Sequence, residues 1–196
     1  MTPTVTGGVV RALGWTAAET ALLVGAFAWA EGDPNIELAV AFVLIFGASA
    51  IADVLLSITS ATVSAPVRQI LVPNQTPDQA WYDKLPKPKW NPPTWVFPIM
   101  WLLVAKPTQL VALGRLHSGD FTGKARAVYC LHLALGDTWN RVFFGEKMVG
   151  LGVIVIYAFA AALATAAALF AMVDVAAGLL LLPTLIWVLV ASSLNL

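Results

Sequence analysis

Five runs of apolar residues divide the chain: Leu38–Val63, Thr94–Leu113, Ala125–Phe144, Met148–Met172 and Val175–Leu194. Each is long enough to cross about 30 Å of hydrocarbon as a helix. None alternates strictly between apolar and polar residues as a barrel strand does, and backbone polar groups in lipid must be satisfied within the segment. The pattern therefore predicts an all-α bundle of five spans. The stretches HSGDFTG and GEK and the single Asp174 join the later spans, so neighbours run antiparallel in one domain, residues 38–196. A further stretch, LGWTAAETALLVGAFAWAEGDP, precedes it. Its apolar part is about 18 residues, marginal for a span, and Glu19 interrupts it. A sixth span, a cleavable signal with Arg11 ahead of the apolar run and Ala28-Trp29-Ala30 as its cleavage site, and an interfacial helix are the alternatives. The expectation is an N-terminal extension, residues 1–37, forming a peripheral or interfacial helix outside the bundle with Glu19 toward water.

Composition agrees with an integral membrane protein. Hydrophobic residues make up 59% and charged residues 11%, and the mean hydropathy is +0.81. That leaves too little polar surface for a soluble globule. Eleven basic and eleven acidic residues cancel, so no charge excess points to nucleic acid or to a solvating tail. Arg68, Lys84, Lys87, Lys89, Arg141 and Lys147 flank one side of the spans, and Arg115, Lys124 and Arg126 the other. This bias places the loop at 64–93 on the cytoplasmic face, or the stromal or matrix face of an organelle. Plastid, mitochondrial and bacterial membranes all suit the pattern. Cys130 has no intrachain partner and reads as a small packed hydrophobe.

The connection WYDKLPKPKWNPPTW, residues 81–95, sets three tryptophans, four prolines and three lysines at the membrane edge. An interfacial anchor belt explains the aromatic and basic residues. It does not explain Pro86, Pro88, Pro92 and Pro93, which fix φ and stiffen the segment. A rigid aromatic lid over the mouth of the bundle is the competing reading.

These residues also carry a resemblance. Trp81-Tyr82, Leu85, Lys87-Pro88, Trp90, Pro92-Pro93, Trp95-Val96-Phe97 and Trp101 are similar to the first loop and second helix of the TspO/MBR family, the tryptophan-rich sensory and translocator proteins. HLALGDTWNRVFFG (132–145) resembles the third-helix stretch of that family, and LLPTLIWVLVASSLN (181–195) its fifth helix. The resemblance implies a five-helix bundle whose cavity binds tetrapyrroles, sterols and related flat hydrophobic molecules. Carried over position by position, it makes Trp81, Tyr82, Asp83, Trp90, Trp95, Trp101, Trp139, Phe143, Trp187 and Ala191 the ligand-binding candidates. Planar ligands gain from large aromatic faces that lose little rotamer entropy. The chain departs from the family at Ala105-Lys106-Pro107-Thr108-Gln109, where a tyrosine and a glycine are usual, and at His132, Gly136 and Thr184 in place of Gln, Asn and Tyr.

Three ionisable residues fall inside spans: Asp53, Lys106 and Asp137. Such residues face the bundle interior, and a pair between Lys106 and one of the acids, with Pro107 bending the helix, is the preferred reading over a proton pathway. His117 and His132 are candidate ligands for the magnesium of a chlorophyll-like pigment. Helix packing is the stronger reading for both, and no protein-bound metal is expected. No nucleophile elbow, phosphate loop or paired-carboxylate site suggests an enzyme. Three functions remain: a tetrapyrrole-binding sensor, scavenger or carrier; a sterol or lipid transporter; and a structural subunit of a larger, for example photosynthetic, membrane assembly. Small-residue faces at Ala158–Ala168 and Gly150-Leu151-Gly152 suit close helix packing, a homodimer or such a complex.

Overall fold

A computed structural model of the chain describes residues 4–47, 79–93, 95–116 and 123–194. The described residues are helical and contain no strand: α1 (Val5–Ala30), α2 (Pro34–Phe42, extended by a π-helical turn Val43–Gly47), α3 (Gln79–Asp83), α4 (Val96–Arg115), α5 (Gly123–Asn140, extended by a π-helical turn Arg141–Gly145), α6 (Val149–Val173) and α7 (Val175–Ser193). The second to fifth expected spans are α4 to α7, each within a few residues of its sequence boundary. The first begins as α2, and its remainder lies outside the described residues.

Local chemistry sets these boundaries. Thr4 caps α1 by accepting from the Gly7 N–H. Asp33 caps α2 by accepting from Asn35 and Ile36, with Pro34 at the first position, where its missing N–H costs nothing. Between them the chain turns at Gly32, whose φ of 105° favours glycine. Inside α4, Pro107 cannot donate to the preceding turn, and the π-helical turn Met100–Ala105 lies directly before it. Asp174 ends α6 and caps α7 by accepting from Ala176 and Ala177. Its carboxyl also accepts from Arg115 Nε at 3.0 Å, and chiefly this contact holds the Asp174 carboxyl below its ordinary value.

Among the described residues, α1, α4, α6 and α7 are long and apolar enough to cross a membrane. Helix α5 has the length but carries Lys124, Arg126 and Asp137. It packs against both α6 and α1, so Arg126 and Asp137 have protein beside them, while Lys124 is exposed at the start of the helix.

The expectation that Glu19 faces water is corrected by α1, which packs along α5 and turns Glu19 to the cavity. That helix runs antiparallel along α5, so its first turns meet the end of α5 and its last turn meets the start. Arg11 Nε donates to Glu146 Oε1 at 2.6 Å, Thr16 Oγ1 lies 2.9 Å from Thr138 Oγ1, Glu19 Oε2 lies 3.4 Å from Arg141 Nη1, and Arg126 Nη1 donates to Glu31 Oε2 at 3.0 Å. Thr16 gives its own proton to the Ala12 carbonyl, so Thr138 is the donor of their shared bond. Leu23 and Phe27 enter the core. Lipid tails are as apolar as leucine, so close packing and polar contacts select a helix's partner in a membrane. Glu19 turns to the bundle because Arg141 is there.

Helices α6 and α7 approach closely where Gly178 faces α6. A Cβ on Gly178 would lie 2.5 Å from Ala171 Cβ and 2.6 Å from the Ala167 carbonyl oxygen. Gly178→Ala is therefore expected to destabilise the bundle by about 1–3 kcal/mol through overpacking. Thermal unfolding in detergent checks this, and an unchanged midpoint would rule out so tight a contact.

Candidate ligand-binding site

A cavity of about 380 Å³ lies among α1, α2, α4, α5 and α6, within the size range of small-molecule sites. Helix α4 contributes Trp101, Leu102, Ala105, Lys106 and Gln109; α5 contributes His132, Leu133, Gly136, Asp137 and Asn140. Glu19 and Leu23 come from α1, Ile45 from the end of α2, and Phe159 from α6. The Trp101 and Phe159 rings are stacked, 6.4 Å apart at 15°. Gly136 faces Phe159, whose ring would be in ordinary contact with a Cβ there, at 3.4 Å. The cavity thus has an aromatic wall and a polar one.

Behind the polar wall a buried network is built on Gln109. Tyr129 Oη donates to Gln109 Oε1 at 3.0 Å, His132 Nε2 lies 3.2 Å from the same oxygen, and Gln109 Nε2 donates to Thr184 Oγ1 at 3.3 Å. His132 Nδ1 bonds the Tyr129 carbonyl. His132 Nδ1 is held by the Tyr129 carbonyl and Nε2 faces Gln109 Oε1 inside the bundle, which favours its packing role over a pigment-magnesium ligand. His117 lies outside the described residues. Lys106 and Asp137 share the cavity and Lys106 is within electrostatic reach of Asp137; Asp53 lies outside the described residues. Cys130 is buried and free.

The aromatic residues singled out in the sequence fall into three groups. Trp101 lines the cavity. Trp81, Tyr82, Trp139, Phe143 and Trp187 belong to a chain of ring contacts where α3 meets the end of α5. Trp81 meets Phe143 edge-on at 5.5 Å, Phe143 stacks on Trp139 at 5.4 Å, and Phe97 links Tyr82 at 6.4 Å to Trp187 at 5.3 Å. Ala191, one turn beyond Trp187, is buried. Trp90 and Trp95 are 54% and 62% exposed, and Asp83 is exposed on α3. The described part of the loop therefore divides its roles: Trp81, Tyr82 and Leu85 pack on the core, while Trp90 and Trp95 point outward as interfacial rings do. Residues 64–78 of the expected lid lie outside the described residues. Burial, with Asp83 adding to it, pushes the Tyr82 hydroxyl above its ordinary value.

Trp139 and Trp187 are buried, yet among the described residues neither indole N–H has a hydrogen-bond partner. Sequence reasoning gave Glu19 and Gln109 no place in the site and passed over Asn140 and Phe159.

The profile of the TspO/MBR family matches residues 54–196. The chain belongs to the TspO/MBR family. A tryptophan-rich sensory protein of Cereibacter sphaeroides is 41% identical over 122 residues, covering 61% of this chain and 74% of the relative. Protein CrtK of Rhodobacter capsulatus is 32% identical over 120 residues, covering 59% and 74%. The translocator protein of Homo sapiens is 32% identical over 124 residues, covering 59% and 70%. This TspO/MBR chain is an integral membrane protein, and its relatives are named as sensory and translocator proteins rather than as enzymes. Helix α1 and the described part of α2 precede the matched segment, so one side of the cavity is built from residues outside the family match.

Proposed function

We propose that this TspO/MBR protein binds a planar hydrophobic ligand of the tetrapyrrole class inside its helical bundle, as a sensor, scavenger or carrier. The observation that carries this reading is the stacked Trp101–Phe159 pair on the wall of a 380 Å³ cavity. Flat rings bury large area at little entropic cost, and a few polar groups then fix orientation. Trp81 and Tyr82 close one end of the aromatic cluster from the loop.

Porphyrin titration followed by tryptophan quenching tests the reading. Trp101→Ala is expected to weaken binding by about 1–3 kcal/mol, the scale of one large apolar contact. Trp90→Ala, which changes an exposed ring, serves as the control and leaves affinity nearly unchanged. Equal affinity in the wild type and Trp101→Ala would remove the cavity from the argument. Absorbance and mass spectrometry of material extracted with the purified protein identify the ligand it carries.

A further inference from the structure

The segment that follows α3 separates its lysines. Lys87 turns inward: its Nζ lies 4.2 Å from the Tyr82 ring centroid and 3.5 Å from Asp83 Oδ1, and its side chain is 19% exposed. Lys84 and Lys89 are exposed, and each stands on a hydrogen-bonded turn. The Lys84 N–H donates to the Trp81 carbonyl at 3.1 Å where α3 ends. The Asn91 N–H donates to the Pro88 carbonyl at 3.0 Å, which makes Lys89 and Trp90 the central pair of a turn. Pro86, Pro88 and Pro92 fix φ around them, while Trp81, Tyr82 and Leu85 hold the segment on the core. Both ammonium groups are therefore carried on a fixed scaffold. The exposed rings of Trp90 and Trp95, just before α4 begins at Val96, set its depth. Such rings sit at headgroup level, and lysine stems reach past them to the phosphates.

We propose that Lys84 and Lys89, with the exposed Trp90 and Trp95 rings, form a binding surface for anionic phospholipid headgroups at the α3 end of the bundle. The charge around them is one-sided. Among the described residues this end carries Arg11, Lys84, Lys87, Lys89, Arg141 and Lys147, and its acids are engaged within the protein: Asp83 with Lys87, Glu146 with Arg11 and Glu19 with Arg141. The opposite end sets Arg115, Lys124 and Arg126 against Glu31, Asp33, Glu37 and Asp174. A lysine ammonium makes a charge-assisted hydrogen bond to a phosphate oxygen. In phosphatidylcholine the lipid's own choline offsets that phosphate, whereas phosphatidylglycerol keeps its net charge for the two lysines. Inorganic phosphate offers the same oxygens but has no acyl chains to lie beside the two indole rings. The surface is separate from the cavity and does not depend on the planar-ligand reading.

The test uses the full chain, delipidated in neutral detergent and offered equal amounts of phosphatidylglycerol and phosphatidylcholine with identical acyl chains. Lipid retained after repurification is quantified by mass spectrometry. The wild type is expected to keep phosphatidylglycerol at least about tenfold over phosphatidylcholine, since each lysine near an anionic headgroup contributes a factor of about five. Lys84→Gln/Lys89→Gln lowers that ratio by at least about fivefold. Lys84→Arg/Lys89→Arg, which keeps both charges, and Lys124→Gln at the opposite end leave it within about twofold. High salt narrows the wild-type ratio without any substitution, because exposed charges are screened. Equal retention of the two lipids by the wild type overturns the proposal, as does a ratio that neither the glutamine variant nor salt diminishes. An arginine variant that loses as much as the glutamine variant would make the lysines packing residues and overturn it as well. Displacement of the bound lipid by excess inorganic phosphate would assign the lysines to a free anion and overturn the headgroup assignment.

Discussion

Replacing Gln109 with leucine is expected to cause one of the two largest losses of stability considered for this protein. The amide is 5% exposed and touches Tyr129, His132 and Thr184, which are themselves almost wholly buried. Leucine fills similar space but leaves these three polar groups without the amide. Each buried group left unsatisfied costs about 1–3 kcal/mol. The joint loss is on the order of 3–6 kcal/mol, because Thr184 keeps a long contact to the Ala105 carbonyl at 3.5 Å and His132 keeps the Tyr129 carbonyl. Read as an apparent unfolding midpoint in detergent at fixed scan rate, this corresponds to a fall of at least about 6 °C. Gln109→Glu, which preserves an acceptor for Tyr129, should fall less far. A leucine variant as stable as the wild type would mean that the network is not formed.

Deleting residues 1–32 is the second change expected to matter greatly. The bundle-side member of each ion pair is the more buried one: the Arg126, Arg141 and Glu146 side chains are 6%, 14% and 17% exposed, against 45%, 19% and 40% for Glu31, Glu19 and Arg11. Removing α1 takes Glu19 from Arg141 and Arg11 from Glu146 and leaves these two charges on a face stripped of its protein cover. Orphaning a buried charge costs about 3–5 kcal/mol when no water reaches it. The truncated chain is therefore expected to resist heat and protease far less well than the full chain, even though residues 54–196 of the family match remain intact. Limited proteolysis and size-exclusion chromatography of both forms give the answer. Equal resistance would make α1 a dispensable attachment.

The spans were legible in the sequence because a helix in lipid must satisfy its own backbone over a length set by the bilayer. The aromatic motif found Trp81, Tyr82, Trp101, Trp139, Phe143 and Trp187, whose rings the fold places on the cavity or in one ring cluster. Motif spacing does not tell which way a ring turns at the membrane edge, and Trp90 and Trp95 turn outward. Gln109 and Phe159 were missed because their roles depend on contacts between distant helices, such as Gln109 with Thr184, which no local period encodes. Glu19 did carry a signal. An acid inside an apolar run faces protein by default, and it was read as facing water only because α1 was taken to stand alone.

The antiparallel zipper between α1 and α5 also acts as a ruler. From Arg11 to Glu31 the helix rises about 30 Å at about 1.5 Å per residue, close to the thickness of the hydrocarbon layer. The Arg11–Glu146 and Glu31–Arg126 pairs then sit one at each boundary, where charge is tolerated. Glu19 lies about 12 Å along the axis from Arg11, which sets the polar wall of the cavity close to the midplane. A bilayer several Å thicker would draw one terminal pair into the hydrocarbon or force the helices to tilt. The spacing of the two pairs thus matches the chain to membranes of ordinary thickness and penalises its transfer to thicker, sterol-rich ones.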